Sequence, residues 1–239
     1  MNAGLDFIFP EENGFTGNEL DDYLAAGYYR TQHLLFTTHQ TQISSQQRMY
    51  PVFWLRMPVK NLVESTAAAA IRKKCSAFTF SYHKAKINNQ ANELYSLYLN
   101  SIDFEAAETC NTYLYHPYFE NPFNSKMLQI KDGKNLIALG YFDVGKQSMA
   151  GILNFYHPAY KKYSLGKYLM LKKLDYARRK NFHYYYTGYI STESNKFDYK
   201  IFPDKKAVEV FLPVEKIWVP YYLMGKEKLA AYFEKNIRS

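Results

Sequence analysis

The run Asn154-Phe155-Tyr156-His157-Pro158, followed by Tyr163-Ser164-Leu165-Gly166-Lys167-Tyr168, decides how the chain is read. Apolar and aromatic residues up to Tyr156 make a strand, and Ser164 then opens a helix over 164–180. Ser164 is expected to cap that helix by accepting from a backbone N–H two or three residues on. Gly166 leaves the first turn open to close approach, and the unpaired N–H groups of a helix start favour an anion. Leu165, Tyr168, Leu169, Leu171, Leu174 and Ala177 supply a core side. Lys172, Lys173, Arg178, Arg179 and Lys180 are left for a basic face, which is either solvated or bound to a polyanion. The aromatic run Phe182-His183-Tyr184-Tyr185-Tyr186-Thr187-Gly188-Tyr189-Ile190 predicts the next strand, and Lys196-Phe197-Asp198-Tyr199-Lys200 closes the stretch.

Working outward, Asp132-Gly133 between apolar runs at 127–130 and 136–144 predicts a hairpin. The N-terminal part alternates strand and helix. Strands are expected at 28–38, 51–59 and 77–82, and helices at 19–26, 64–75 and 92–102, the first of them capped by Asn18. The polar segment 37–48 reads as a loop. Downstream, two strands at 207–212 and 217–220 precede an amphipathic helix over 224–238. Hairpin, strand, glycine-containing turn, helix and strand is the order of an acyltransferase-type α/β fold. In such a fold a mixed sheet carries a helix whose N-terminus cradles a pyrophosphate or similar anion.

Composition narrows the function. Hydrophobic residues make 47% of the 239, enough for a sizeable core, and 24 tyrosines offer rings to stack and hydroxyls to satisfy. The net charge of +8 favours a polyanionic partner. Two cysteines, Cys75 and Cys110, make neither a disulfide framework nor a four-ligand metal site, which fits a reducing interior. The N-terminus is too short and acidic for a secretory signal, and no apolar run nears the roughly 20 residues that span a bilayer. An intracellular, cytoplasmic location without membrane partners is expected. No Ser-His-Asp order, phosphate-binding glycine loop or metal-spaced His/Glu pair is present, which argues against hydrolases, nucleotide triphosphatases and metalloenzymes.

These segments together resemble the C-terminal signature of the arginyl/leucyl-tRNA–protein transferases, which move an amino acid from aminoacyl-tRNA to a protein N-terminus in the N-degron pathway. The family pattern reads Phe-Tyr-Asp-Pro, Ser-Leu-Gly-x-Tyr, Gly-Tyr-Trp-Ile and Lys-Met-x-Tyr-Lys. Asp132 to Ala138 and Asp143 sit where the family has a Gly-x-Leu-x-Ala strand and an Asp. The resemblance covers about residues 113–203. It implies a GCN5-related N-acetyltransferase-like catalytic domain over 109–239, preceded by an N-terminal α/β part over 1–108. This chain departs from the pattern in three ways. His157 replaces the family Asp, Phe197 replaces Met, and Ile190-Ser191 stands in place of Trp-Ile. Gly27-Tyr28-Tyr29-Arg30 resembles the segment that precedes the family's cysteine cluster, but residues 37–47 after it contain no cysteine.

The implied reaction needs no cofactor, because an aminoacyl ester is already activated. The enzyme must bind the tRNA 3′ end, hold a protein α-amine near the ester carbonyl and stabilise the tetrahedral oxyanion. The resemblance assigns Tyr189, Tyr199 and Lys200 to the aminoacyl site, with His157 as a titrating candidate that reads equally as a turn residue. It assigns Tyr156, Ser164, Leu165, Gly166, Lys167, Tyr168, Lys172, Lys173 and Gly188 to substrate or tRNA. No metal ligand is expected. An acyl-CoA N-acyltransferase on the same fold, and an inactive relative that binds RNA or protein, are the alternatives.

Overall fold

The structure, a computed structural model, describes residues 5–11, 14–42, 48–60, 62–104 and 106–238. The fold is mixed α/β, built on a mixed sheet. In chain order the first part holds β1 (Asp6–Ile8), α1 (Gly17–Ala25), β2 (Tyr29–Thr31), β3 (Leu34–Thr37), β4 (Gln40–Gln42) and β5 (Met49–Pro58). Next come α2 (Thr66–Lys74), β6 (Thr79–Lys84), α3 (Asn89–Leu99) and the short α4 (Asn111–Leu114). The second part holds β7 (Ser125–Asp132), β8 (Asn135–Val144), β9 (Ser148–Tyr156), α5 (Leu165–Arg179) and β10 (Tyr184–Ser191). It ends with β11 (Glu209–Leu212), β12 (Ile217–Pro220) and α6 (Tyr221–Asn236).

The main sheet runs β12-β11-β5-β10-β9-β8-β7-β6, with β4 paired to β5, so strands from both sides of residue 108 enter it. Every pairing within it is antiparallel except β9 with β10. One face of the sheet is covered by α5 and α6, where Leu165, Leu169, Leu174, Leu229 and Phe233 join the largest core cluster. The other face carries α1 and the small sheet β1-β3-β2 on one side and α3 on the other.

Several expectations are corrected at their ends. The segment 28–38 is not one strand but the hairpin β2–β3, because Gln32 takes a left-handed φ of 50° and reverses the chain. Thr16, not Asn18, caps α1: its side chain accepts from Glu19 N while the Glu19 carboxylate accepts from Thr16 N, a reciprocal capping box. The polar segment 37–48 contains β4, and its residues 43–47 lie outside those described. Residues 1–4 of the N-terminus read above also lie outside them. The last helix begins at Tyr221 and is kinked at Gly225. Among the described residues no helix is long and apolar enough to cross a membrane.

Candidate active-site cleft

The one parallel pairing of the main sheet is cut short. β9 and β10 pair over Tyr184–Ser148, Tyr185–Met149 and Tyr186–Ala150 and then part. Each strand bulges where it leaves its neighbour. Ile152 is the extra residue of β9 against β8, and Thr187 is the extra residue of β10 against β5. Bulges bend a strand and increase its twist, so two of them here drive the strands apart. Parting leaves main-chain carbonyls without ladder partners. Tyr29 fills that role: its hydroxyl meets the carbonyls of both Gly151 and Tyr186, one on each side of the gap. Its ring stacks on Trp54 at 4.9 Å. Burial pushes the Tyr29 phenol well above its usual range, so it stays a donor.

A cleft of about 730 Å³ occupies this gap. Its walls come from both faces of the sheet. Ser164, Gly166, Lys167 and Met170 contribute from α5 and the turn before it, and Tyr29, Phe36 and Trp54 from the opposite face. The floor holds Gly188, Tyr189, Tyr199 and Lys200. Five cationic residues line the cleft, Arg30, Lys161, Lys167, Lys196 and Lys200, with no carboxylate among the described lining residues. Arg30 is committed elsewhere: it is buried, pairs with Asp143 at 2.6 Å and donates to Ser125 Oγ and to the Leu114 carbonyl. Lys161 and Lys167 stand in and beside the turn that opens α5, placed to meet an anion.

Lys200 is the most perturbed group on the floor. Its ammonium lies 4.5 Å over the Tyr189 ring and 4.6 Å over the Phe197 ring. Burial, helped by the like charge of Lys196, lowers its pKa from 10.5 to about 7. Tyr199 is 40% exposed, and that surface opens into the cleft. Its recessed position raises the phenol to about 12, which keeps the hydroxyl protonated at neutral pH. Tyr189 is wedged edge-on between Trp54 at 5.2 Å and Phe197 at 4.9 Å. The Asn154 Oδ1 is buried without a hydrogen-bond partner on the β9 wall.

The structure gathers Tyr156, Ser164, Gly166, Lys167, Gly188, Tyr189, Tyr199 and Lys200 around this one space. The other residues named from sequence lie apart from it. Leu165 and Tyr168 point into the core below α5. His157 sits outside the lining residues at the start of the 3₁₀ turn Pro158–Tyr163, where its Nδ1 accepts from Ala159 N at 3.2 Å. An imidazole nitrogen does there what a carboxylate oxygen does in an Asx turn, which accounts for the exchange with Asp. Ser164 does not cap α5. It adopts a left-handed φ of 54°, and its side chain makes no capping bond. The first-turn N–H groups of α5 therefore face the cleft without a side-chain partner.

Lys172 and Lys173 do not form an exposed basic face. Lys172 lies 4.0 Å over the Phe80 ring and 3.4 Å from Asp175. Lys173 is 0% exposed and donates to the Tyr141 carbonyl at 2.7 Å. Burial drops its pKa to about 7, partly offset by Asp143. The sequence carried this signal, because Leu165, Leu169, Lys173 and Ala177 follow one another at spacings of four along the core side. The aromatic wall of Tyr29, Phe36 and Trp54 went unassigned, since nothing local in the sequence ties those positions to α5.

The comparisons with known proteins bear on the same residues. Residues 90–205 match the family described as arginine-tRNA-protein transferase, C terminus. An aspartate/glutamate leucyltransferase of Nitrosococcus oceani is 31% identical over 90 residues, which are 34% of this chain and 38% of that one. Arginyl-tRNA–protein transferase 1 of Arabidopsis thaliana is 30% identical over 104 residues, 41% of this chain and 16% of its own. These two matches thus cover less than half of either relative. A longer match, 23% identical over 183 residues, joins 74% of this chain to 72% of an aspartate/glutamate leucyltransferase of Thiobacillus denitrificans. Among solved structures, FemX is similar at a TM-score of 0.46 and 8% identity, over 74% of this chain and 61% of its own. The signature residues 156–200 lie inside the matched segment, so residues 90–205 are similar to arginine-tRNA-protein transferase C-terminal domains.

Proposed function

We propose that this chain is an aminoacyl-tRNA–protein transferase, which moves an amino acid from aminoacyl-tRNA to the N-terminal α-amine of an acceptor protein and so marks it for degradation. One observation carries the reading. Eight residues assigned to the reaction by resemblance, from separate segments of the chain, line a single cleft. The parted parallel strands, with a helix starting beside the gap, fit a GCN5-related N-acetyltransferase-like arrangement. In this reading the reacting groups come from 109–239, while 1–108 lends the wall of Tyr29, Phe36 and Trp54. The protein works in the cytoplasm, where its tRNA substrate is found.

The chemistry follows from the groups available. The first turn of α5, with Ser164, Lys161 and Lys167, takes the terminal phosphate of the tRNA, and the ring of Tyr156 lies beside it. Lys200, neutral in about half the molecules near pH 7, accepts the proton of the attacking amine. The Tyr199 hydroxyl donates to the oxyanion that forms on the ester carbon. When the intermediate collapses, the amide bond stays, the ester C–O bond breaks, and the proton passes to the departing ribose oxygen. A cleft rich in lysine favours an acceptor whose first side chain is acidic. Its aromatic walls favour leucine over arginine as the transferred residue, since no described lining carboxylate would pair with a guanidinium.

Radiolabelled leucyl- and arginyl-tRNA, each offered with peptides starting in Asp, Glu, Ala or Lys, test this. Label should move from leucyl-tRNA to the Asp and Glu peptides. Absence of transfer with every pair would reject the transferase reading.

A further inference from the structure

The segment between β10 and β11 brings Lys196, Phe197, Tyr199 and Lys200 to the cleft, yet its only regular element is the 3₁₀ turn Asp198–Ile201. Its own sequence supplies short-range anchors. Ser191 Oγ accepts from Glu193 N, and Ser194 Oγ accepts from Lys196 N. Thr187, the bulge residue of β10, donates to the Lys200 carbonyl at 3.2 Å. Phe197 also packs on Tyr189 at 4.9 Å and Lys196 lies 4.2 Å over the Phe104 ring, but neither of these ring contacts joins residues 194–198 to a helix of the main core.

Lys226 does so. Its Nζ donates to the Ser194 carbonyl at 2.9 Å and to Asn195 Oδ1 at 2.8 Å, and stands 2.7 Å from Asp198 Oδ1. Two hydrogen bonds and one ion pair thus hold the ammonium against three residues of the turn. The helix that carries it is anchored, with Leu229 and Phe233 buried in the main core. The residue before it, Gly225, breaks the helix with φ 61° and ψ 177°, a backbone shape that side-chain-bearing residues rarely adopt. Lys226 also lies beyond the 90–205 segment that the family signature covers.

We propose that Lys226 is a positioning residue that straps the 194–198 turn to α6 and thereby fixes where Tyr199 and Lys200 stand in the cleft. The consequence for turnover rests on the transferase reading, whereas the strap itself does not. Loosening it displaces groups that must meet the ester within a few tenths of an ångström, and such misplacement costs on the order of tenfold to a hundredfold in rate.

The test uses the full chain with Lys226→Met, Lys226→Arg and Asn195→Ala. Hydrogen–deuterium exchange is followed in peptides spanning 192–201, with α5 as the internal reference. Lys226→Met should speed exchange at 192–201 and leave α5 unchanged. Arginine should restore much of the protection, and Asn195→Ala, which removes one acceptor, should give a smaller increase. Transfer by Lys226→Met should fall in kcat with little change in the KM for aminoacyl-tRNA. Exchange at the parent rate in both Lys226→Met and Asn195→Ala would overturn the strap, and faster exchange with the parent kcat would overturn its positioning role. A parent protein that transfers nothing would sink the transferase reading alone, because the exchange arm needs no activity.

Discussion

The ammonium of Lys200 occupies the space that a side chain at position 188 would need: a Cβ on Gly188 would stand 2.7 Å from Lys200 Nζ. Gly188 also holds φ at 103°, where glycine alone is unstrained. Two demands thus meet at one position. Gly188→Ala should lower stability by about 1–3 kcal/mol from backbone strain and push Lys200 off the Tyr189 ring. Urea unfolding and transfer rates check this, and a Gly188→Ala protein with parent stability and parent kcat would refute it.

Lys200 predicts a pH dependence. With its pKa at about 7, kcat/KM should rise as pH increases through that value, because only the neutral amine accepts a proton. The acceptor α-amine adds a second rise near its own pKa of about 7.7–8.0. Lys200→Met should remove the lower limb and keep the upper one. Tyr199→Phe should leave the profile's shape alone and lower its height by about 10²–10³. An unchanged profile in Lys200→Met would assign the proton to another group.

Charge at the start of α5 is tested by salt. Lys161→Glu combined with Lys167→Glu should weaken tRNA binding and flatten its dependence on salt concentration by about one to two ion equivalents. Filter binding over a salt series measures both. Neither residue is buried in the core, so the fold should survive. Equal slopes for parent and variant would exclude this end of the cleft as the phosphate site.

Lys173 makes a prediction about stability. Unfolded, its pKa returns to 10.5, while burial holds it at about 7 in the folded chain. Between those values the unfolded state binds the extra proton, so stability from this group rises with pH. Below about 7 both states carry the proton, and the full cost of burying the charge is felt. Lys173→Met does not titrate. The parent's stability relative to that variant should therefore increase from about pH 7 to about pH 9, as urea midpoints at the two values will report. A difference independent of pH would mean that Lys173 titrates alike folded and unfolded.

Periodic patterns made much of the fold legible, and long-range packing hid the rest. Leucines at helical spacing marked α5, and Asp132-Gly133 marked the hairpin between β7 and β8. Lys173 was misread because its charge outweighed its position in the Leu165-Leu169-Ala177 row. Ser164 was misread because a helix start with φ 54° leaves no side-chain cap, and no residue type announces that. The 28–38 segment looked continuous because Gln32 bears no glycine or proline signature at its reversal. Tyr199 and Lys200 were found through the motif, but Tyr29 and Trp54 meet them only through the sheet order, which the sequence does not spell out.

Thr187 has one more effect. In an unbroken strand, residues an even number apart share a face. Tyr186 and Tyr189, an odd number apart, nevertheless pack into the same cluster around Trp54, and Tyr185 and Ile190 likewise share the cluster under α5. The extra residue inverts the alternation halfway along β10. Met149 and Tyr156 record the same inversion in β9. Deleting Thr187 would swap Tyr189 and Ile190 between the two faces while every neighbouring side chain kept its identity. The cleft is thus specified by a count of residues as much as by their kind, and a single-codon deletion would turn it inside out.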